Sequence, residues 1–548
     1  MSDAVPEPLS RFLAQSPDSA LLLPASAAPE PGKWDRVAVQ VADRESLRAF
    51  VVPDGVRSAT ILVALTSAER ALALVPRPEW PPCTSLRSRR AGDGTWLVAL
   101  RFERPVSVAD VVAELGRQSA WPDPVGNRGL FVQDGGVVAE DVPPDVLLSA
   151  AVEPVAEHPV TGRTPLVLTE RSGPLALGPL DERVLNPTGF DATATAPAVD
   201  LSSLDLRDGA TEDLIRSLRP VAGVRVSFGD ADSLRSVARL AMAGIPLTAT
   251  SAPAAALGGE VAAAITAPVD LGDPLAREEH SVVLRRAALN TFSSFAWRRA
   301  VGASIGVPVA VHPSVSIVLA TRRPEQLGFA LRQVAKQRGV ERLELVLAPH
   351  GFAPDPARVR ELVGSVTVQV VAQPESTLFG DVLAAAAAAA SGDVVLKMDD
   401  DDWYAPDAVA DLLLARAYSG AELVGMPAEF HYLTPKQMTV KRGHVTELYA
   451  SFVAGGTLMV DRELLREVGS FRSVRKFVDA QLLAAVHAAG AAVYRTHGLG
   501  YLLRRNATGH TWEVDMDYLL DPSRVAATWE GFRPSRLLEH AESERPEG

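Results

Sequence analysis

The stretch SGDVVLKMDDDDWYAPDAV, residues 391–409, places four consecutive aspartates directly after an apolar run. Residues 394–396 have the composition of a buried strand, and an aromatic pair and Pro406 follow the aspartates. Four adjacent carboxylates repel one another. The stretch is therefore either a solvated acidic turn or a site that binds a cation, and the sequence on both sides of it helps to distinguish the two.

Upstream of the aspartates, short apolar runs alternate with helical patterns. The pattern predicts a strand that ends in a polar loop at 314–323, a strand with a polar end at 343–352, and strands at 366–371 and 393–398, with helices at 324–337 and 355–363 and an alanine-rich helix that contains residues 384–390. Polar residues follow the strands. Alternation of this kind predicts a parallel sheet, and open α/β sheets bind ligands at the carboxyl ends of their strands.

This part of the chain resembles the family 2 glycosyltransferases, which have the GT-A type of nucleotide-sugar-binding fold. Four motifs occur in the family's order. They are the opening strand at 316–323, an Asp-x-Asp-Asp-x-x-x-Pro pattern at 399–406, the stretch VAGGTLMVDRELLREVGSF at 453–471, and RKFVDAQLLAAVHAAGAAVYRTHG at 475–498. The resemblance covers residues 312–515, well under half of the chain.

The resemblance implies a metal site at the aspartates. Asp401 is expected to contact Mn²⁺ or Mg²⁺ directly, and Asp399 to contact the metal or a metal-bound water and the donor ribose. A divalent cation neutralises the charge that develops on a leaving diphosphate, and it prefers oxygen ligands. His497 and His510 are candidates for a further metal ligand. The alternative is a solvated acidic turn, but the buried strand before it and the motifs after it favour metal.

Asp479 is the expected catalytic base, because it occupies the position at which the family carries its catalytic carboxylate. Such a base takes the proton of the acceptor hydroxyl. The family usually has Glu-Asp there, whereas this chain has Val478 and Asp479. Asp479 is also placed to cap the following helix, and the two roles are compatible.

Further residues are expected to bind the donor or the acceptor. The guanidinium groups of Arg504 and Arg505 suit a diphosphate, and tryptophan rings can stack on a sugar, although core packing is the alternative for them. The family commonly has an aspartate at the end of the second strand, where this chain has Ala348, Pro349 and His350, so the nucleotide stays open. The donor set is Thr321, Arg322, Arg323, His350, Gly380, Asp399, Asp400, Arg504 and Arg505, and the acceptor set is Gly455, Gly456, Trp403 and Trp512.

The expected fold class is multidomain α/β. A C-terminal GT-A domain with a mostly parallel sheet is preceded by two smaller α/β or α+β units. The predicted divisions are 1–155, of unknown role, 156–310, a Rossmann-like and non-catalytic unit, 311–533, the GT-A domain, and 534–548, a flexible tail.

Composition narrows the classes of partner and compartment. A single cysteine, Cys83, excludes an internal disulfide framework and a cysteine zinc cluster. A net charge of −13 without a long basic stripe argues against nucleic acid. The uncharged windows 240–259 and 300–321 are broken by prolines, so no transmembrane segment is predicted. A cytoplasmic enzyme is expected, and peripheral association with the inner face of the membrane and a homo-oligomer stay open.

The sequence therefore predicts a metal-dependent, inverting glycosyltransferase. It would move a sugar from a nucleotide-sugar to a hydroxyl of a glycan, polysaccharide or glycolipid. One alternative is a sugar-phosphate nucleotidyltransferase, which ordinarily needs a glycine-rich loop after the first strand, where ATRRPEQ (320–326) has no glycine. The other is a catalytically silent scaffold that only binds a cation.

Overall fold

A computed structural model gives the fold, and its chain divides into two compact units, Met1–Arg171 and Ser172–Gly548. It describes residues 7–23, 29–42, 46–47, 50–53, 55–66, 80–91, 95–118, 132–134, 146–148, 166–168, 177, 179–180, 182, 190, 196–207, 209–228, 231–251, 255–304, 312–506 and 516–540. Each unit is described by itself.

The first unit is built on a mixed sheet with strand order β1-β3-β4-β6-β5, with β2 beside β4. The β1–β3 and β3–β4 pairs are parallel, whereas β4–β6 and β5–β6 are antiparallel. Apolar side chains of the long strands and of α2 form its core. A second, parallel sheet contains β7, β8 and β9. The elements are α1 (Glu7–Leu13), β1 (Ser19–Leu22), β2 (Gly32–Trp34), β3 (Arg36–Val41), β4 (Val56–Leu65), β5 (Cys83–Arg90), β6 (Trp96–Ser107), α2 (Val108–Gln118), β7 (Val132–Asp134), β8 (Val146–Leu148) and β9 (Leu166–Leu168).

The second unit begins with a small parallel sheet of order β10-β11-β12, covered by helices. The expected strand–helix–strand pattern at 223–251 is present, and Gly244 (φ +72°) follows its helix. The elements are β10 (Val199–Asp200), α3 (Glu212–Leu218), β11 (Val224–Arg225), α4 (Ala231–Met242), β12 (Leu247–Thr248), α5 (Gly259–Thr266), α6 (Pro274–Phe292) and α7 (Ser294–Ser304).

An eight-stranded sheet then forms the centre of the second unit, in the order β15-β14-β13-β16-β22-β18-β23-β21. Its first four strands are parallel, as predicted, and β22 reverses the direction next to β16. Apolar residues cover both faces of the sheet, as in other α/β sheets. A second sheet of order β17-β24-β19-β20-β25 adjoins the aspartate run.

The elements of this part are β13 (Val315–Thr321), α8 (Pro324–Ala335), β14 (Leu343–Pro349), α9 (Pro356–Val363), β15 (Thr367–Val370), α10 (Phe379–Ala389), β16 (Val394–Met398), β17 (Trp403–Tyr404), α11 (Ala408–Ser419), β18 (Leu423–Gly425), β19 (Phe430–Leu433), β20 (Met438–Arg442), β21 (Leu448–Tyr449), β22 (Met459–Asp461), α12 (Arg462–Glu467), α13 (Val478–Ala488), β23 (Val493–Arg495), β24 (Tyr501–Arg505), α14 (Met516–Leu519) and β25 (Val525–Glu530). The α/β class expected for this part is confirmed.

Helix α6 packs into the same core as the eight-stranded sheet, although it precedes that sheet in the chain. Leu284 and Ala288 share a hydrophobic cluster with Ile317. The guanidinium group of Arg286 lies 2.8 Å from the carboxylates of both Asp407 and Asp411, at the start of α11. The predicted boundaries at 155/156 and 310/311 lie outside the described residues, so the three-domain division stays a prediction.

The end of the chain differs from the expected flexible tail. Leu537 and Leu538 are buried in an aromatic cluster with Trp403, and the hydroxyl of Ser535 donates to Glu279 (2.8 Å). Apolar burial and a buried hydrogen bond therefore fix residues 534–540, and residues 541–548 lie outside the described part. Within the described residues no helix is long and apolar enough to cross a membrane.

Candidate active site

The site is built at the carboxyl ends of β13, β14 and β16, which the parallel register brings to one edge of the sheet. Thr321 ends β13, His350 follows β14, and the four aspartates follow β16. Each aspartate has a different set of partners. The acidic run is therefore not a uniform solvated turn.

Asp400 and Asp401 are tied to the end of β13. The guanidinium group of Arg323 binds both carboxylates, at 2.9 Å from the Oδ2 atom of Asp401 and through two nitrogens to Asp400. The hydroxyl of Thr321 also donates to Asp400. Three of the predicted donor residues thus meet, and Arg323 compensates part of the charge of the run.

Asp402 braces β24. Its carboxylate accepts a hydrogen bond from the hydroxyl of Tyr501 (2.5 Å) and another from the backbone N–H of Arg504 (2.9 Å). The carboxyl is buried, and burial together with the charges of Asp401 and Asp399 raises its pKa well above the usual range. Asp402 therefore joins the two sheets.

Lys397 links the aspartate run to the expected base. Its side chain is buried, and its Nζ atom lies 2.6 Å from Asp399 Oδ1, 3.2 Å from the carbonyl oxygen of Gly455 and 3.5 Å from Asp479 Oδ1. Burial alone would lower the pKa of Lys397, but the charges of Asp399 and Asp479 raise it above its usual value. One buried ammonium thus holds two carboxylates that are distant in the sequence.

Asp479 lies in the first turn of α13, and about one third of its side chain is exposed. Burial raises the pKa of its carboxyl, Lys397 lowers it, and the charge of Asp399 raises it again, so that the net shift is upward. A carboxyl with a raised pKa is a stronger base than an ordinary carboxylate, which suits proton abstraction. The predicted capping role is not seen, since Phe477 holds the N-cap position without a side-chain hydrogen bond.

Gly455 and Gly456 pack directly on these carboxylates in a 3₁₀ turn, Gly455–Thr457. A Cβ atom added to Gly455 would collide with the carboxylate of Asp479. One added to Gly456 would lie 2.6 Å from the hydroxyl oxygen of Tyr501 and 2.9 Å from Asp399 Oδ2. Glycine is therefore required at both positions, because the backbone here approaches the side chains of the site too closely to leave room for a Cβ atom.

Three other predicted donor residues lie at the same edge without contacting the aspartates in a described hydrogen bond. Arg322 is exposed. The Nε2 atom of His350 lies 3.0 Å from the carbonyl oxygen of Glu375. Gly380 is the second residue of α10, at a point where a Cβ would collide with the carbonyl oxygen of Arg472.

The predicted roles of Trp403 and His497 are not supported by their surroundings. Trp403 is fully buried, with Phe329 at 5.6 Å and the guanidinium carbon of Arg504 4.2 Å from its ring centre, so no face is free for a sugar. His497 is buried as well, and its Nε2 atom lies 3.1 Å from Asp411, in the ion-pair network of α6 rather than beside the aspartate run.

The remaining candidates are less informative. In β24, Leu503 pairs with His431. Arg505 ends the strand two residues later, and the side chain of Arg505 is partly buried. His510 and Trp512 lie outside the described residues. Their predicted roles as a metal ligand and an acceptor platform stay predictions.

Lys397, Tyr404 and Tyr501 are site residues that the sequence analysis missed. The hydroxyl of Tyr404 accepts from the backbone N–H of Asp399 (2.8 Å) and donates to the carbonyl of Gly456 (2.9 Å). A signal for Lys397 was present, because a lysine within an apolar strand is rarely buried unless it is paired. The partners of the two tyrosines depend on β17 pairing with β24, which the local sequence does not indicate.

The residues present fit a divalent cation that is shared with a substrate. Within the described residues no group of three or more His, Cys, Asp or Glu side chains is arranged to hold a metal alone. Mg²⁺ typically binds through one or two carboxylates and completes its shell with phosphate and water. Asp399, which is one third exposed, and Asp401 supply such a pair.

Residues 316–483 match the family model described as Glycosyl transferase family 2. This segment is a family 2 glycosyltransferase domain. The match contains the four aspartates, Lys397 and Asp479, whereas β24, with Tyr501 and Arg504, lies beyond it. No curated protein matches the chain.

Solved structures similar to the family 2 domain include two glycosyltransferase systems. A mannosyltransferase, PcManGT from Pyrobaculum calidifontis in complex with GDP-Man and Mn²⁺, is 17% identical with a TM-score of 0.30, and the match covers 36% of this chain and 59% of that one. S. aureus TarS is 17% identical with a TM-score of 0.29, covering 35% of this chain and 36% of that one. Its fragment 1–349 is 18% identical with a TM-score of 0.28, covering 35% and 60%. This chain thus spans less than two thirds of each structure, and similarity at this level does not indicate which substrate the chain uses.

Proposed function

We propose that the family 2 domain transfers a sugar from a nucleotide-sugar donor to a hydroxyl of an acceptor, with inversion at the anomeric carbon. The observation that carries the proposal is the placement of Asp399 and Asp479 around the Nζ atom of Lys397, at 2.6 Å and 3.5 Å, at the carboxyl edge of the sheet. This displacement needs a carboxylate on the donor side and a base on the acceptor side, and it needs the two next to each other.

Asp479 performs the proton transfer in this proposal. As the acceptor oxygen forms its bond to the anomeric carbon, the Asp479 carboxylate takes the hydroxyl proton. The bond between the sugar and the diphosphate breaks, and its electron pair leaves with the nucleoside diphosphate. The raised pKa of Asp479 supports its role as the base, since proton abstraction becomes easier as the pKa of the base rises toward the working pH. Asp479 is the single candidate base among the described site residues, which supports inversion.

The donor diphosphate is bound at the aspartate run. Asp401 and Asp399 would hold Mn²⁺ or Mg²⁺, which neutralises charge on the diphosphate when it is bound. Arg323 orients Asp401 through its 2.9 Å contact and Asp400 through the bidentate one. Arg322, exposed at the same edge, is available for the phosphates, and it keeps the role predicted from the sequence.

Release of sugar from UDP-, GDP- and dTDP-linked donors, with and without Mn²⁺, tests the proposal. We expect hydrolysis of one donor class that requires the metal, and we expect Asp401→Asn to lower it at least tenfold without lowering the melting temperature by more than a few degrees. Metal-independent turnover would refute the metal role. Full transferase activity in Asp479→Asn would refute the base assignment, and binding of nucleotide without any turnover would favour a silent scaffold.

A further inference from the structure

The segment that leads into the helix of the expected base is basic. Residues 468–477, here called the basic loop, join α12 to α13 and carry Arg472, Arg475 and Lys476 but no carboxylate. All three side chains are exposed. The chain as a whole has a net charge of −13, so this concentration of cations beside the site is opposite in sign to the rest of the molecule.

The three cations are not neutralised by neighbouring carboxylates. Within the described part of the chain no ion pair joins Arg472, Arg475 or Lys476 to an acidic side chain, whereas Lys397 and Arg323 in the same site are both paired. Two carboxylates beside the basic loop bind groups other than its cations. Asp381 accepts from the hydroxyl of Ser473 at 2.8 Å, and Asp479 faces Lys397.

The basic loop is fixed at the edge of the sheet. The backbone N–H of Gly380 donates to the carbonyl of Val474 at 3.0 Å, and the backbone N–H of Val474 donates to the carbonyl of Arg472 at 2.8 Å. The carbonyl oxygen of Arg472 fills the space that a Cβ at Gly380 would need. These contacts hold the backbone of the basic loop against the start of α10, and Lys476 precedes Asp479 by three residues in the sequence.

Phe477 closes the basic loop in an unusual conformation. Its backbone is left-handed (φ +63°), and its side chain is 70% exposed. Non-glycine residues rarely adopt this conformation, and strained backbone clusters at functional sites. An exposed ring two positions before Asp479 gives the site an apolar surface beside the cations, on which the carbon face of a sugar can pack.

We propose that the basic loop is the acceptor site, and that the acceptor is a carbohydrate carrying a phosphate group near the hydroxyl that is glycosylated. The inference rests on the proposed function. Five carboxylates, residues 399–402 and Asp479, would repel an anionic acceptor, and the unpaired cations of the basic loop offset that repulsion at the entrance. Arg475 and Lys476 bind the phosphate, and Phe477 packs against the sugar ring.

Paired probes test the phosphate requirement. Binding of glucose 6-phosphate and of methyl α-glucoside is measured by titration calorimetry on the full chain saturated with Mn²⁺ and the nucleoside diphosphate of its donor, so that the donor site is filled. We expect the phosphorylated sugar to bind at least tenfold more tightly at low salt, with the difference shrinking as salt screens the charges. Equal binding of the two sugars would overturn the proposal.

Substitutions locate the effect. Arg475→Gln combined with Lys476→Gln should abolish the preference for the phosphate, while the control Arg207→Gln with Lys436→Gln, which removes the same charge from exposed positions elsewhere, should keep it. An unchanged preference in the first double variant would overturn the proposal. Wild-type donor hydrolysis, measured separately, reports on the proposed function. Hydrolysis without any phosphate preference would refute only the acceptor inference.

Two further experiments test the role of the Phe477 ring and the alternative that the basic loop binds a membrane. Phe477→Gly and Phe477→Ala both remove the ring, but glycine adopts the left-handed backbone without strain. We expect both substitutions to weaken glucose 6-phosphate binding several-fold. The melting temperature of Phe477→Ala should be lower than that of Phe477→Gly. Undiminished binding in both would remove Phe477 from the site. If the Arg475 and Lys476 double variant instead lost binding to phosphatidylglycerol vesicles and kept sugar phosphate binding, the basic loop would be a membrane surface and the proposal would fall.

Discussion

Replacing Lys397 with methionine removes the ammonium between the two carboxylates and retains most of the volume of the side chain. We expect Lys397→Met to fold, to lose stability moderately and to shift the acid limb of the pH profile to higher pH. The direction follows from the present pKa of Asp479, which burial and Asp399 raise and which only Lys397 lowers. Without Lys397 the carboxyl holds its proton more tightly.

The size of the shift follows from the distance. A unit charge 3.5 Å from the Asp479 carboxylate contributes about 5 kcal/mol at an effective dielectric constant of about 20. About one third of the side chain is exposed, so solvent screens the interaction, and we expect roughly a quarter of this value, or about one pKa unit. The loss of stability should be about 2 kcal/mol, below the usual 3–5 kcal/mol for a broken buried pair because both carboxylates reach water.

The assay is donor hydrolysis as a function of pH at saturating Mn²⁺. A base is active when it is deprotonated, so activity is lost as the pH falls through the pKa of Asp479. In Lys397→Met that loss should occur about one pH unit higher than in the wild type, with urea unfolding giving the stability change. Lys436→Met, at an exposed position of a 3₁₀ turn, is the control and should change neither quantity.

Two outcomes would refute this reasoning. An acid limb at the wild-type pH, in a variant that is folded and less active, would mean that the charge of Lys397 does not act on Asp479. A limb displaced to lower pH would mean that the base is another group. Either result would leave Lys397 as a residue that stabilises the fold without tuning the reaction.

Further variants test the packing of the site and of α6. Gly455→Ala should lower donor hydrolysis at least tenfold, because its Cβ would collide with the carboxylate of Asp479, whereas Gly443→Ala, with no atom within 4 Å of the added Cβ, should keep wild-type activity. Equal effects of the two would refute the close-packing argument. Arg286→Met should lower the free energy of unfolding by about 3 kcal/mol, since it removes the guanidinium partner of the buried Asp411 and one of the two guanidinium partners of Asp407, and Arg207→Met, whose ion pair is exposed, should change it by less than about 0.5 kcal/mol in urea titrations. A small effect of Arg286→Met would show that water replaces the guanidinium group in that contact.

The strands that lead into the site could be predicted because they combine continuous apolar runs with polar ends. The predicted strands at 314–323, 343–352 and 393–398 begin within one residue of β13, β14 and β16, and the first two strands end two and three residues earlier than predicted, before their polar ends. The antiparallel pairing of β22 with β16 and β18 was not predicted, because β18 and β22 are each three residues long and strands this short do not indicate their partners. Their pairing depends on contacts across the fold.

Site chemistry was predictable where a motif fixes the position, and not where burial decides it. The order of the motifs predicts that Asp399 and Asp479 belong to one site. Lys397, which binds both carboxylates, lies in the opening stretch, but its sequence neighbours do not indicate this role. Whether Trp403 stacks on a sugar or packs in the core depends on β17 and the residues around Phe532, which come together only in the folded chain. His497 is similar, because its partner on α11 is far away in the sequence.

The ion pairs of α6 bear on how this chain can be divided. A fragment that began at the start of the family match would lack Arg285 and Arg286. The buried carboxylates of Glu447 and Asp411 would then lose their guanidinium partners, and Asp407 would lose one of its two. The limits of the homologous segment are therefore not limits of autonomous folding. Exchange of this glycosyltransferase between scaffolds, in evolution or in the laboratory, should succeed only when the helix before it travels with it.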